Sequence, residues 1–488
     1  MPVKTLLIGL DGADHRMIDA MIAEGELPIF RQIRERSTAH EVENDPGMGN
    51  VQFWTSAAIG AGPDHHGHYF YLQFDPKTYD ILMDFKLDLP KVTPFWAALD
   101  ADGYRVAVVD WYEMPVTPLK RGVLIHRWFA HEPLTQSVFM PPEMADVTAQ
   151  YTKVDPIAEG FASRPRESAD EMQDFLTRTL SRIDIKAKFY ADQMREKDWD
   201  LYIPALSEAH NIGHYYMELE DSGHSRHNPQ LADKVRNPLR QCYRKLDAAL
   251  EKIIDAAGPD ARVFVLGGPA MGRFISANSV LDEIARRIDL GFDAPLSGAE
   301  TAKKTYHSLI PETLRRRIGP LARAVRRRMA NRDYLRRRFF AVPHNDNSGA
   351  IRINVKGREK FGVITRGAEY DALVAEITAG VASCQNPDTG RSIVKRVVNI
   401  AEEFSGPNRD LLPDLLIEWD RTDTAGDFTH LVSKEFGEVT LPRQARTGDH
   451  TPFGFFWAPA DLGIARPNRP GEIRAHIESM VRAKRPSG

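Results

Sequence analysis

His210 and His214 stand four residues apart in the segment Ser207-Glu208-Ala209-His210-Asn211-Ile212-Gly213-His214. On a helix this spacing puts both imidazoles on one face, where they can share a metal ion. A chain with 16 histidines in 488 residues supplies about 0.5 such pairs by chance, so spacing alone says little. Position says more. The pair directly follows the apolar run from Trp199 to Leu206, which reads as a buried strand, and ligands collect at the carboxyl ends of such strands. Glu208 is a candidate ligand, general base or orienting partner. Asp11, at the tip of the run Val3 to Leu10, is either a metal ligand and site organiser or a cap for the following helix. His450, in a Gly-Asp-His turn, is a distant candidate to complete a metal site. The loop His65-His66-Gly67-His68 is a rival, although adjacent loop histidines are more often surface residues. No P-loop, dinucleotide fingerprint, HExxH or GxSxG motif is present.

The elements that must position these residues alternate between strand and helix. Val3 to Leu10, Tyr104 to Asp110, Trp199 to Leu206 and Ala261 to Leu266 are short apolar runs with the character of buried parallel strands. Helical spacing covers Met17 to Arg36, broken at Leu27-Pro28, and then Thr93 to Asp102, Ser168 to Lys197 and Asn237 to Ala257. Gly49 to Gly60 begins a loop-to-helix segment. Such alternation predicts a doubly wound parallel sheet. Residues 112–165 are rich in Pro and aromatics and read as an irregular cap insertion. Composition shifts near Ala285, and eleven arginines fall between Arg315 and Arg338. Residues 285–345 are therefore expected to form an Arg-rich helical insertion, either a solvated face or a cap that attracts anions or a membrane surface.

A hydrophobic content of 42%, a charged content of 27% and a net charge of -4 suit a globular enzyme and argue against a nucleic-acid binder. Two cysteines exclude a disulfide framework or a Cys-based zinc site. No basic and apolar leader precedes the first strand, and no apolar run reaches the length of a membrane span. These features predict a soluble cytoplasmic protein.

The ordered set LIGLDGAD, the ELP helix start, the block from Trp54 to Gly67, VVDW, SEAHNIGH, VFVLGGPAMG, GAIRINVKGRE, PDLLIEW and TGDH-x-P-x-G resembles the type I phosphodiesterase/nucleotide pyrophosphatase family of the alkaline phosphatase superfamily. The resemblance spans nearly the whole chain. It implies one alkaline-phosphatase-like α/β domain over residues 1–488, with a mostly parallel central sheet, helices on both faces and cap insertions. The family uses two metal ions and a Thr, Ser or modified Cys nucleophile at a helix start. Carried over, His210 stands where an Asp ligand of the first metal would be, His214 and His450 match its two histidines, and Asp11 matches the first-strand Asp. The nucleophile position falls on Asn50, whose amide is not a competent nucleophile. An Asp-His pair that holds the second metal falls on Gly268 and Pro269, which offer no side-chain ligand.

The expectation is an enzyme with one divalent metal, bound by His210, His214 and His450 with Asp11 as a further ligand. Zinc suits this set, and iron and manganese also fit. Asp11, Asn50 and Glu208 would orient substrate or move protons. Three neutral ligands leave the ion's charge uncompensated, which favours a metal-bound hydroxide. The substrate would be a small anion, a phosphate or sulfate ester, cleaved without a covalent intermediate. A homo-oligomer is compatible with this reading, with no nucleic acid and no membrane span. The alternatives are a non-hydrolytic metalloenzyme of specialised metabolism, a non-catalytic binding protein on the same scaffold, and a two-metal phosphodiesterase that draws ligands from His65, His66 or His68.

Overall fold

The computed structural model describes residues 3–483 apart from 113–115, 130–136, 158–165, 167, 275, 292–333, 336, 346, 423–428 and 443–444. It has two compact units. The first comprises Met1–His66, Pro90–Phe274 and Gln444–Gly488, and the second Gly67–Leu89 and Ile275–Arg443.

The first unit is built on an eight-stranded sheet. In chain order its elements are β1 (Val3–Leu10), α1 (His15–Ala23), α2 (Pro28–Glu35), β2 (Ser37–Glu43), α3 (Asn50–Ile59), β3 (Val106–Val109), β4 (Val123–His126), β5 (Val138–Met140), α4 (Ala169–Glu196), β6 (Trp199–Leu206), α5 (Glu208–Glu220), α6 (Pro238–Ala257) and β7 (Arg262–Gly267). A two-stranded ribbon of β8 (Met271–Arg273) and β9 (Gly448–His450), strand β10 (Phe453–Pro459) and α7 (Ile473–Ala483) complete it. The spatial order is β2-β10-β7-β1-β6-β3-β4-β5. The central strands pair in parallel, and β2, β10 and β5 join antiparallel at the edges.

The parallel core follows from composition. Leu6, Leu7 and Ile8 of β1 and Leu201 and Ile203 of β6 have no exposed surface, as strands covered on both faces require. Alternate residues feed separate cores. Leu6 and Ile8 pack with α4, α5 and α6 residues, whereas Leu7 packs with Phe53 and Trp54 of α3 and Ile473 of α7. Helix α4 starts where its capping residue demands: Ser168 accepts from the Glu171 backbone N–H at 3.2 Å.

Residues 112–165 contain more regular structure than expected. Strand β4 is a four-residue buried run, too short to show periodicity against its Pro-rich flanks, and β5 extends the sheet beyond it. Pro63–His66 forms a helical turn where a loop was expected. The second unit carries a four-stranded antiparallel sheet (Phe339–Val342, Ser348–Ile353, Leu415–Trp419 and Val394–Asn399) packed on helices Leu281–Leu290 and Ala368–Ala382. Most of the expected Arg-rich helix lies outside the described residues. Arg337 and Arg338, at its end, pair with Asp282 and Asp289 at 2.7 Å.

Candidate metal centre

The carboxyl ends of β1 and β6 are stitched together by the Asp11 N–H, which donates to the Leu206 carbonyl at 2.9 Å. Beyond Leu206 the chain turns through Ser207 into α5. Gly12 adopts a φ of 70°, which favours glycine. A Cβ there would lie 2.6 Å from the His210 Cα, so the bare glycine lets α5 start directly over Asp11. A second close approach brings in His450: a Cβ on Gly448 would lie 2.1 Å from the Gly213 carbonyl. Strand β9 is thus laid against α5, and His450 reaches the helix face that carries His210 and His214.

The three imidazoles converge. Among the described residues they form the one group of His, Cys, Asp and Glu whose ligand atoms could hold a metal ion, all within 4.8 Å of one another. Each ring has an acceptor behind Nδ1. His210 Nδ1 is 2.5 Å from Asp11 Oδ2, His214 Nδ1 is 2.8 Å from the Gly448 carbonyl, and His450 Nδ1 is 2.8 Å from the Pro269 carbonyl. A carbonyl oxygen only accepts, which assigns the proton of His214 and His450 to Nδ1 and leaves an Nε2 lone pair. Such backing orients a metal-ligating histidine and raises its basicity.

His210 and His214 present Nε2 to Nε2 at 2.9 Å. Two lone pairs at that distance repel unless a proton or cation lies between them. Burial, with help from His450 and Arg446, holds the His210 pKa well below its ordinary value, which disfavours the proton. The donor set therefore fits a divalent ion: neutral, nitrogen-only and buried, with its partner groups already in place.

Asp11 stands behind His210, on the ring edge away from Nε2. Its Oδ1 accepts from Asn50 Nδ2 at 3.0 Å and from Trp54 Nε1 at 2.9 Å. Asn50 is the first residue of α3 and is buried. Its Nδ2 faces Asp11, and its Oδ1 has no hydrogen-bond partner among the described residues. Glu208 is not brought to the histidines. It sits in a buried ion cluster, 3.1 Å from Lys186 Nζ, which also lies 3.6 Å from Asp110. Neighbours two apart on a helix do not share a face, so Glu208 points away from His210. His65 pairs with Asp64 at 3.1 Å, and His66 Nε2 lies 3.0 Å from Ser56 Oγ. His68 belongs to the second unit, where it pairs with Asp84.

Trp54 is the residue that sequence reasoning missed; there it served as a landmark in a motif. A Cβ on Gly268 would lie 2.6 Å from Trp54 Nε1 and 2.8 Å from two ring carbons. The indole occupies the space that a side chain at 268 would need and donates to Asp11 from there. Pro269 contributes its carbonyl to His450, a role that side-chain chemistry does not reveal. Tyr112, also unanticipated, lies beside His210 with ring centroids 5.5 Å apart.

No curated protein sequence matches this chain. Among solved structures it is similar to phosphonoacetate hydrolase from Sinorhizobium meliloti 1021, with 16% identity, a TM-score of 0.52 and coverage of 98% of this chain and 96% of that one. Human ectonucleotide pyrophosphatase/phosphodiesterase 5 also matches, with 9% identity, a TM-score of 0.48 and coverage of 98% and 95%. The family model for type I phosphodiesterase/nucleotide pyrophosphatase matches residues 5–425. With most of its length matched, the chain belongs to the type I phosphodiesterase/nucleotide pyrophosphatase family, a family of hydrolases.

Proposed function

We propose that this protein is a single-metal hydrolase of a phosphate or sulfate ester. The observation that carries the reading is the convergence of three imidazoles, with ligand atoms within 4.8 Å of one another and each Nδ1 backed by a carboxylate or a carbonyl. His210, His214 and His450 would hold one divalent ion, with zinc suited to three imidazoles. Such an ion supplies Lewis-acid polarisation and a bound water of lowered pKa. Asp11 fixes the ring of His210 and disperses its own charge over Asn50, Trp54 and His210. Asn50 has an amide where a nucleophile would be needed, so it holds Asp11 in place and forms no covalent adduct. Trp54 filling the space at Gly268 supports one ion rather than two.

No helix among the described residues is long and apolar enough to cross a membrane. Cys242 and Cys384 are both buried and unbridged, which agrees with a reducing compartment and with the cytoplasmic assignment proposed here. Elemental analysis of wild type beside His214→Ala tests the function. One equivalent of metal in wild type, lost in the variant together with hydrolysis of phosphate or sulfate esters, is the expected result. Two equivalents in wild type would point to a two-metal phosphodiesterase. No metal after reconstitution would favour a binding protein, a reading that Asn50 in the nucleophile position also serves.

A further inference from the structure

A small pocket, walled largely by Trp54, Trp111 and Phe129, adjoins the histidine centre at the carboxyl ends of β1, β3, β4 and β6. Its walls also include Asp11, Tyr112, His126, Arg127 and Ser207. The room inside is about 20 Å3, enough for one water-sized group and far too little for a nucleobase or a sugar ring.

His126 sets the chemistry of the pocket. It is 4% exposed, and burial depresses its pKa to about 3, so the ring is neutral. It makes a hydrogen bond to the Trp111 backbone. Because Nε2 has no partner among the described residues, that bond runs from Nδ1–H to the carbonyl, and Nε2 carries a lone pair. An unsatisfied buried acceptor is costly, a penalty that a donor in the pocket removes.

The backbone around the pocket is strained in a directed way. Asp110 and Arg127 hold φ at 55° and 60°, a region that non-glycine residues rarely adopt. Asp110 accepts from the backbone N–H groups of Trp128 at 2.8 Å and Phe129 at 3.1 Å. Lys186 lies 3.6 Å behind it. These bonds hold the turn that brings Arg127 to the pocket beside His126.

We propose that this pocket is a subsite for a hydroxyl group carried on the organic part of the substrate. The hydroxyl donates to His126 Nε2 and accepts from Arg127, Tyr112 or Ser207. A carboxylate or second phosphate is excluded because it would face the His126 lone pair and the Asp11 and Asp110 carboxylates. The proposal rests on the ester reading of the adjoining centre and narrows it to hydroxyalkyl esters.

Binding of matched probes to the metal-loaded full-length protein tests it by calorimetry. The pairs are 2-hydroxyethyl phosphate against ethyl phosphate, and 3-hydroxypropyl phosphate against propyl phosphate. Wild type is expected to favour at least one hydroxylated member about tenfold. In His126→Phe that ratio should fall to about one. A ratio near one for both pairs in wild type overturns the subsite, which then holds only water, and needs no variant. A preference that survives in a folded His126→Phe also overturns it. If His126→Phe fails to fold, His126→Leu takes its place, with the same loss of preference expected. Failure of every phosphate to bind would overturn the ester reading and the subsite together. Binding of ethyl and propyl phosphate without discrimination would remove the subsite alone.

Discussion

The Asp11 carboxylate meets His210 Nδ1 at 2.5 Å, so the first strand of the sheet acts on the metal centre through a histidine on α5. A carboxylate in that place fixes the ring and strengthens it as a donor, and losing such a partner typically costs 10–100-fold in metal affinity (an approximate range). Asp11→Asn keeps the size and removes the charge. Chelator competition should show metal binding weakened about 10–100-fold with one equivalent still bound at saturation. Wild-type affinity in this variant would mean that Asp11 has no hold on the ion.

Trp54 fills the space that a side chain at Gly268 would need. A Cβ at 268 would lie 2.6 Å from Trp54 Nε1, and overpacking of a core costs about 1–3 kcal/mol. Gly268→Asp should therefore lower the melting temperature and bind no additional metal. A stable Gly268→Asp protein that holds two equivalents would show that the indole moves aside easily.

Asn50 bears on stereochemistry. A covalent route displaces at phosphorus twice and retains configuration, whereas direct attack by water displaces once and inverts it. Asn50 Nδ2 is committed to Asp11 at 3.0 Å, and an amide forms no ester adduct. Hydrolysis of a chiral phosphorothioate ester in isotopically labelled water should give inversion. Retention would require a nucleophile elsewhere in the site.

Much of this was legible in the sequence. The run from Trp199 to Leu206, apolar apart from Asp200, marks β6 to its last residue, because a strand buried on both faces leaves few polar positions to blur its limits. The i, i+4 spacing of His210 and His214 carried through to one buried helix face for the same reason. Long-range substitutions were not legible. Nothing near Gly268 in the chain says that Trp54 occupies its side-chain space. The carbonyls of Gly448 and Pro269 act through backbone that every residue possesses. Glu208 seemed promising through nearness along the chain, but helical geometry turned it toward Lys186. His126 escaped notice because its strand is four residues long and set among prolines and aromatics.

Lys186 is a fully buried cation between two carboxylates, 3.1 Å from Glu208 and 3.6 Å from Asp110. It also donates to the Ala205 carbonyl at 3.4 Å. Removing one partner of a buried pair costs about 3–5 kcal/mol because the remaining charge is stranded. Lys186→Met leaves two such carboxylates, so chemical denaturation should show a loss at or above that range. Pairing it with Glu208→Gln and Asp110→Asn should recover a large part. Failure to recover would place the cost in packing around the Lys186 stem.

Acid should destabilise the fold through histidines buried in the neutral form. Burial lowers His126 to about 3 and His344 to about 4 from an ordinary value of 6.5. Between those limits the unfolded chain binds more protons than the folded one, so stability rises with pH. The contribution is complete above about 6.5 and is lost as pH falls toward the folded-state values, at most about 1.4 kcal/mol per pH unit for each ring. Asp45 opposes it. Burial pushes that carboxyl up to about 6, so its share of stability declines as pH rises from 3.8 to 6. Burial also lowers the rings of His40, His210 and His476 and raises the carboxyls of Asp155, Glu220 and Asp247; the rings start from the higher ordinary value, so they leave a net loss on acidification from pH 6.5. Calorimetry with a chelator present, which removes any contribution from metal release, should show the melting temperature falling between pH 6.5 and 4.5. The fall should be shallower in His126→Phe, which has no ring to protonate on unfolding. An identical slope in the variant would mean that His126 is charged in the folded protein, and its Nε2 would then be a donor.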